Sequence, residues 1–167
     1  MIILLEGPDA SGKTTLVRQE FIPRGFQYIH NGVFPSPSHA YEAYINQLKF
    51  LTPNDNVIID RMHISERIYG RIYHGECMND DSYWHVDSML EKLNAIALIC
   101  ITNFHETLRI WASRQKDELI KDPKIFERIY DEYWQCILSN ERTKAYTNLI
   151  TYSYDYMNPF CIEDLLK

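Results

Sequence analysis

The sequence has no paired cysteine motif, no excess of positive charge and no long apolar run, and each absence removes a class of function. Cys77, Cys100, Cys136 and Cys161 are scattered without a C-x-x-C pair, so neither a zinc site nor a redox pair is expected, and reduced thiols in a cytoplasm are the simpler reading. The net charge of −6 argues against a broad grip on duplex nucleic acid, although a compact basic cluster could still hold a small anion. No apolar stretch is long enough to span a bilayer, so no membrane partner is expected. The opening residues are apolar, but the run breaks at Glu6 with neither a basic start nor a small-residue cleavage site. It reads as a buried strand rather than a signal peptide. The six histidines show no metal-ligand spacing, and no repeat, low-complexity tract or linker is visible.

What is present suits one globular domain over 1–167: 167 residues, 46% hydrophobic and 24% charged, enough to bury a substantial core. Short apolar runs alternate with helical patterns, the signature of an α/β fold with a parallel sheet. "IILLE", "FQYIH", "NVIID", "AIALICI" and "NLITY" read as five strands. Helices are expected over 13–21, stopped by Pro23 and Gly25, over 38–51 capped by Ser38, over 64–73 and over 81–93. Others should start near Glu106 and Lys124, with a short closing helix in "CIEDLLK". In the helix from Lys124, Ile125, Phe126, Ile129, Tyr130, Tyr133, Trp134, Ile137 and Leu138 form an apolar stripe that reads as core.

The stretch "GPDASGKTT" fits G-x-x-x-x-G-K-[ST], with Gly7, Gly12, Lys13 and Thr14 in register. Glycines let the backbone turn so that successive N–H groups face phosphate oxygens; Lys13 adds a point charge and the Thr14 hydroxyl a ligand for Mg²⁺. The helix that follows offers its positive end to the same anion. The motif lies between an apolar strand and a helix, the context that makes it a P-loop (Walker A) for a nucleoside triphosphate. Gly7, Pro8, Ala10, Ser11, Gly12, Lys13, Thr14 and Thr15 are the candidate ATP-binding residues. A second element, "NVIIDRMHISERIYG", ends a buried strand at Asp60, at the sheet edge where ligands of open α/β folds bind. Thr14 and Asp60 are the candidate metal residues, and Arg61 could hold a second phosphate bidentately. No base-reading NKxD segment of a GTPase is present.

Together "GPDASGKTT" and "DRMHISERIYG" resemble the thymidylate kinase family and its deoxynucleoside and deoxynucleotide kinase relatives. Asp9 matches the family's P-loop acid. Asp60, Arg61, Ser65 and Tyr69 match D-R-[aromatic]-x-x-S-x-x-A-Y-Q, while Met62 replaces the aromatic and Gly70 the glutamine. "AIALICITNFHETLRIWASRQKDE" followed by "IFERIYDEYW" keeps the family's order of strand, arginine-bearing helix, lid and F-E-R helix. The resemblance implies a three-layer P-loop sandwich with a five-stranded parallel sheet in the order 2-3-1-4-5, and a lid at about 109–123. It implies a transferase of nucleotide biosynthesis: a cytoplasmic kinase that moves a phosphoryl group from ATP, with Mg²⁺, to a deoxynucleoside monophosphate such as dTMP or a related pyrimidine nucleotide. Lys13, Arg61, Asp9, Arg109 and Arg114 would be catalytic, with Lys116 a further lid candidate. Asp9, Phe34, Arg61, Ser65 and Tyr69 would bind the acceptor, with Tyr41, Tyr44 and Tyr73 beside them, and "TYSYDYMNP" would form the adenine-side loop.

Two departures bear on the acceptor. The segment 31–38, where thymidylate kinases carry an arginine, reads "NGVFPSPS", and Pro35 and Pro37 remove two N–H donors. Arg61 alone would then hold the acceptor phosphate, helped at most by a lid residue or by His30 or His39, and acceptor binding should be looser than in a typical member. The chain is also short, which suits a small divergent member such as a bacteriophage encodes, acting in the host cytoplasm. A kinase of free deoxynucleosides, a kinase of a nucleotide within DNA and a non-catalytic nucleotide-binding regulator remain open. The partner expected is a small nucleotide, with a second copy of the chain as a candidate.

Overall fold

The computed structural model describes residues 1–114, 120–138 and 149–152. Strands β1 (Ile2–Glu6), β2 (Gln27–His30), β3 (Val57–Asp60) and β4 (Ile96–Cys100) pair in the order β2-β3-β1-β4, and β5 (Leu149–Tyr152) pairs with β4; every pairing is parallel. The α/β class with flanking helices is as expected. β1 lies between β3 and β4, so its five residues are wholly buried.

Alternation along the strands sorts their side chains onto two faces. Ile2, Leu4, Val57, Ile59, Ala97 and Ile99 join the larger core. That core is covered by α2 (Pro37–Leu48), α3 (His63–Tyr73), α4 (Asp80–Lys92), α5 (Phe104–Ser113) and α6 (Pro123–Leu138). Ile3, Leu5, Ile58, Leu98 and Cys100 face the smaller core, under the helix that leaves the P-loop. The same alternation turns Glu6 toward α3 and α6 and Asp60 toward the P-loop side. The two carboxylates that end adjacent strands therefore serve different faces.

Several boundaries differ from the sequence expectation. The helix over 13–21 is regular only as α1 (Lys13–Leu16). It then widens to a π turn over Val17–Phe21, where the Ile22 N–H reaches back to the Val17 carbonyl, and tightens to 3-10 over Ile22–Arg24. Phe21, at the end of the wide turn, is fully buried edge-on against Phe26, with ring centroids 5.3 Å apart. Ser36, not Ser38, caps α2 by accepting from His39 N, because Pro37 fits the first helical position, where its missing N–H costs nothing. The α6 stripe is only partly core: Phe126, Ile129, Tyr130 and Tyr133 are buried, while Ile125, Trp134 and Leu138 are exposed. "CIEDLLK" lies outside the described residues, as does most of "TYSYDYMNP". No helix among the described residues is long and apolar enough to cross a membrane.

Candidate functional site

At the end of β1 the chain turns sharply. Gly7 has φ +140, and a Cβ there would sit 2.1 Å from the Cys100 carbonyl oxygen on β4, so the P-loop can lie against the sheet only with glycine at this position. Ala10 (φ 61) and Gly12 (φ 86) are left-handed, and such alternation gathers backbone N–H groups into an anion-binding concavity. Lys13 begins α1 with its ammonium buried, donating to Gly7 O at 2.8 Å and Pro8 O at 2.7 Å, and more weakly to Ser11 Oγ at 3.4 Å. Burial is the main cause that pushes its pKa down, Arg61 adds to it, and Asp60 and Asp9 oppose it. Thr14 and Thr15 stay exposed at the mouth of the loop.

Asp60 is 1% exposed beside this loop. Its Oδ2 accepts from the Tyr28 hydroxyl at 2.7 Å and from His30 Nδ1 at 3.1 Å; Oδ1 has no partner. Burial alone would raise the Asp60 pKa, but His30, Lys13, Tyr28 and Arg61 together outweigh it and hold the carboxyl below its usual range. An ionised, buried carboxylate with one orphaned oxygen, in the same cleft as the exposed Thr14 hydroxyl, is an all-oxygen donor set that fits a hard divalent cation. Among the described residues no cluster of three or more His, Cys, Asp or Glu offers a rival metal site.

Arg61 follows with φ 69, a strained conformation for a non-glycine residue, held by its N–H to Leu5 O at 2.9 Å and by Asn31 Nδ2 to its carbonyl at 2.7 Å. Its guanidinium pairs with Asp9 and lies 4.7 Å from the centroid of the Tyr69 ring. Tyr69 OH in turn accepts from Asp9 N at 3.2 Å. Asp9, Arg61 and Tyr69, read from distant motifs, are thus one cluster. Ser65 is in the same wall, but its hydroxyl is bound to Glu6 and, at 2.7 Å, to Tyr133 OH. Glu6 also accepts from Met62 N at 2.9 Å and Ser65 N at 3.3 Å, satisfying the free amides at the start of α3.

These groups line one cleft of about 720 Å³, which runs from the P-loop past Asp60 and Arg61 to Tyr44, Glu66, His74 and Arg114. Arg114 therefore reaches it, whereas Arg109 lies outside its lining, gripping Glu106 at 2.6 Å from an exposed position on α5. Phe34 stands edge-on to Tyr44, with ring centroids 5.4 Å apart, behind a wall formed by Val33 and Tyr44. His39 serves the α2 cap through Ser36 Oγ at 2.7 Å. Lys116 is outside the described residues, and nothing is described of the Tyr73 side chain.

Sequence reasoning missed Glu66. It is 8% exposed, its Oε1 has no partner, and burial raises its carboxyl to about 7, with His74 acting against the shift. A Cβ on Gly70 would lie 2.7 Å from that Oε1, so the glycine leaves room for the carboxyl to fold back along α3. Tyr28 and Glu6 were missed too. Glu6 had a visible signal, a carboxylate ending a strand that is otherwise wholly apolar.

The comparisons meet this geometry at the level of fold. YorR from Bacillus subtilis, solved in complex with phosphorylated GDP, superposes with a TM-score of 0.68 at 20% identity, over 93% of this chain and 85% of that one. Deoxyadenosine kinase from M. mycoides with bound dATP gives 0.63 at 16% identity, over 92% and 91%. Thymidylate kinase from Ehrlichia chaffeensis gives 0.53 at 13% identity, over 95% and 90%. The fold is that of the P-loop kinases. No family model and no curated protein matches the chain.

Proposed function

We propose that this P-loop chain is a cytoplasmic nucleoside monophosphate kinase that transfers the terminal phosphoryl group of ATP to a deoxynucleoside monophosphate, with a pyrimidine such as that of dTMP preferred. The observation that carries the reading is the placing of Lys13 and the partly buried Arg61 in one cleft, with Asp60 in the same lining and its carboxylate stabilised by both cations. Two separately held positive charges suit two phosphate groups that must meet.

In this reading the P-loop amides and Lys13 bind the donor phosphates. Thr14 and Asp60 would hold Mg²⁺, which supplies charge neutralisation to the phosphoryl oxygens. Arg61 orients the acceptor phosphate bidentately, and Tyr69 holds the guanidinium plane from below. Asp9, which pairs with Arg61, would exchange that contact for the acceptor sugar hydroxyl. Arg114 offers a further positive charge from the α5 side, and Val33 and Tyr44 form an apolar wall for the base. The absence of an arginine in 31–38 leaves acceptor binding loose.

A free deoxynucleoside is the second reading, favoured by the pairing of Arg61 with Asp9, which already neutralises the acceptor cation. ADP release with ATP and Mg²⁺ across the four common deoxynucleoside monophosphates and their nucleosides separates the two. Turnover with a pyrimidine monophosphate is expected; turnover with nucleosides alone, or with a purine nucleotide above all others, would refute the assignment.

A further inference from the structure

We propose that Tyr28 and His30 are positioning residues that lock the Asp60 carboxylate, so that its Oδ1 is reserved for a hard divalent cation. This rests on the metal role given to Asp60 above and adds two residues from a different strand. β2 and β3 pair in parallel with Tyr28 opposite Ile58 and His30 opposite Asp60. Residues two apart on a strand share a face, so the phenol and the imidazole both stand on the face toward which Asp60 points. Their rings are 6.2 Å apart, and both donate to the same oxygen, Oδ2. A carboxylate accepts only, so His30 carries its proton on Nδ1. Thr14 lines the same cleft as Asp60 and His30.

The chemical consequence is asymmetry. A carboxylate with both oxygens free can rotate and bind a cation through two oxygens, which suits a large flexible sphere such as that of Ca²⁺. With Oδ2 engaged twice, Asp60 offers one oxygen in a fixed direction, as the small octahedral Mg²⁺ sphere requires. Partners of this kind are worth about ten- to a hundredfold in metal affinity.

The test is Mn²⁺ titration, followed by electron paramagnetic resonance, of the protein saturated with ADP, for wild type, Tyr28→Phe, His30→Gln and the double variant. Tyr28→Phe keeps the ring in the small core, and His30 is half exposed, so both variants should fold; thermal melts check this. The expected result is Mn²⁺ binding weakened about tenfold or more in the double variant, with Ca²⁺ competing better than in wild type. Affinity for ADP in EDTA should be unchanged. Equal Mn²⁺ affinity in all four proteins would overturn the positioning role, as would an equal loss of ADP affinity in EDTA. A wild type whose ADP complex gains no Mn²⁺ would overturn the proposal through the metal role of Asp60 itself.

Discussion

The two ends of the cleft are built in different ways. At the P-loop end, nine consecutive residues make the geometry almost alone, through backbone conformation at Gly7, Ala10 and Gly12 and through carbonyls that hold Lys13. At the Arg61 end, side chains come from many places: Asp9 from the loop, Arg61 and Tyr69 around α3, Tyr44 from α2 and Arg114 after α5. The first kind of site depends on local stereochemistry, the second on the whole domain being folded. Damage at the two ends should therefore look different.

The sharpest way to break the P-loop end is Gly7→Ala. The added Cβ meets the backbone oxygen of Cys100 at a φ that alanine rarely adopts, so strain and overpacking combine. A loss of roughly 2–6 kcal/mol is expected by chemical denaturation. A near-native midpoint would show that the loop tolerates lifting off the sheet. Lys13→Ala should instead leave the melt close to native, since the loop carbonyls it releases can turn to water, while kcat falls roughly a hundred- to a thousandfold. Wild-type turnover would remove the P-loop from the donor role.

At the other end, Arg61→Ala removes one charge-assisted contact of roughly 1.5–3 kcal/mol. It should cut kcat/KM for the monophosphate by about one to two powers of ten. An unchanged value would place the acceptor phosphate elsewhere. Glu66→Gln is the mildest change and the most diagnostic of burial. The folded carboxyl titrates near 7 against an ordinary 4.5. Its favourable protonated state is therefore complete below 4.5 and is lost as pH rises through 7. The always-neutral glutamine should gain about 1–2 kcal/mol over wild type at pH 8, after allowance for water at the cleft, and nothing at pH 4.5. A stability difference that ignores pH would show that Glu66 is solvated.

The same contrast explains what the sequence made legible. A P-loop is a contiguous pattern, and Asp60 and Arg61 end a strand whose burial is evident from "NVII". The pairing of Asp9 with Arg61 and Tyr69 spans 52 and 60 residues and could be reached only through a family resemblance. Tyr28 was hidden because β2 is half exposed and its polarity looked like that of any edge strand. Glu66 was hidden because nothing local separates a buried acid in a first helical turn from a solvated one serving the helix dipole. Arg109 shows the converse: a lone arginine on α5 reads as aimed at a ligand, and in this structure it pairs with Glu106 one turn back, outside the lining of the cleft.

Glu6 has a consequence for the order in which the chain folds. Met62, at the start of α3, has no capping side chain of its own, and Gly70 weakens the helix interior. The acceptor for the Met62 and Ser65 amides arrives from β1, 56 and 59 residues away. An isolated peptide of 60–74 should therefore show little helix in water. In the intact chain α3 should gain its first turn only after β1 and β3 have paired. Substituting Glu6 by Gln should then slow folding if this contact is already made in the transition state, and speed unfolding alone if it closes afterwards.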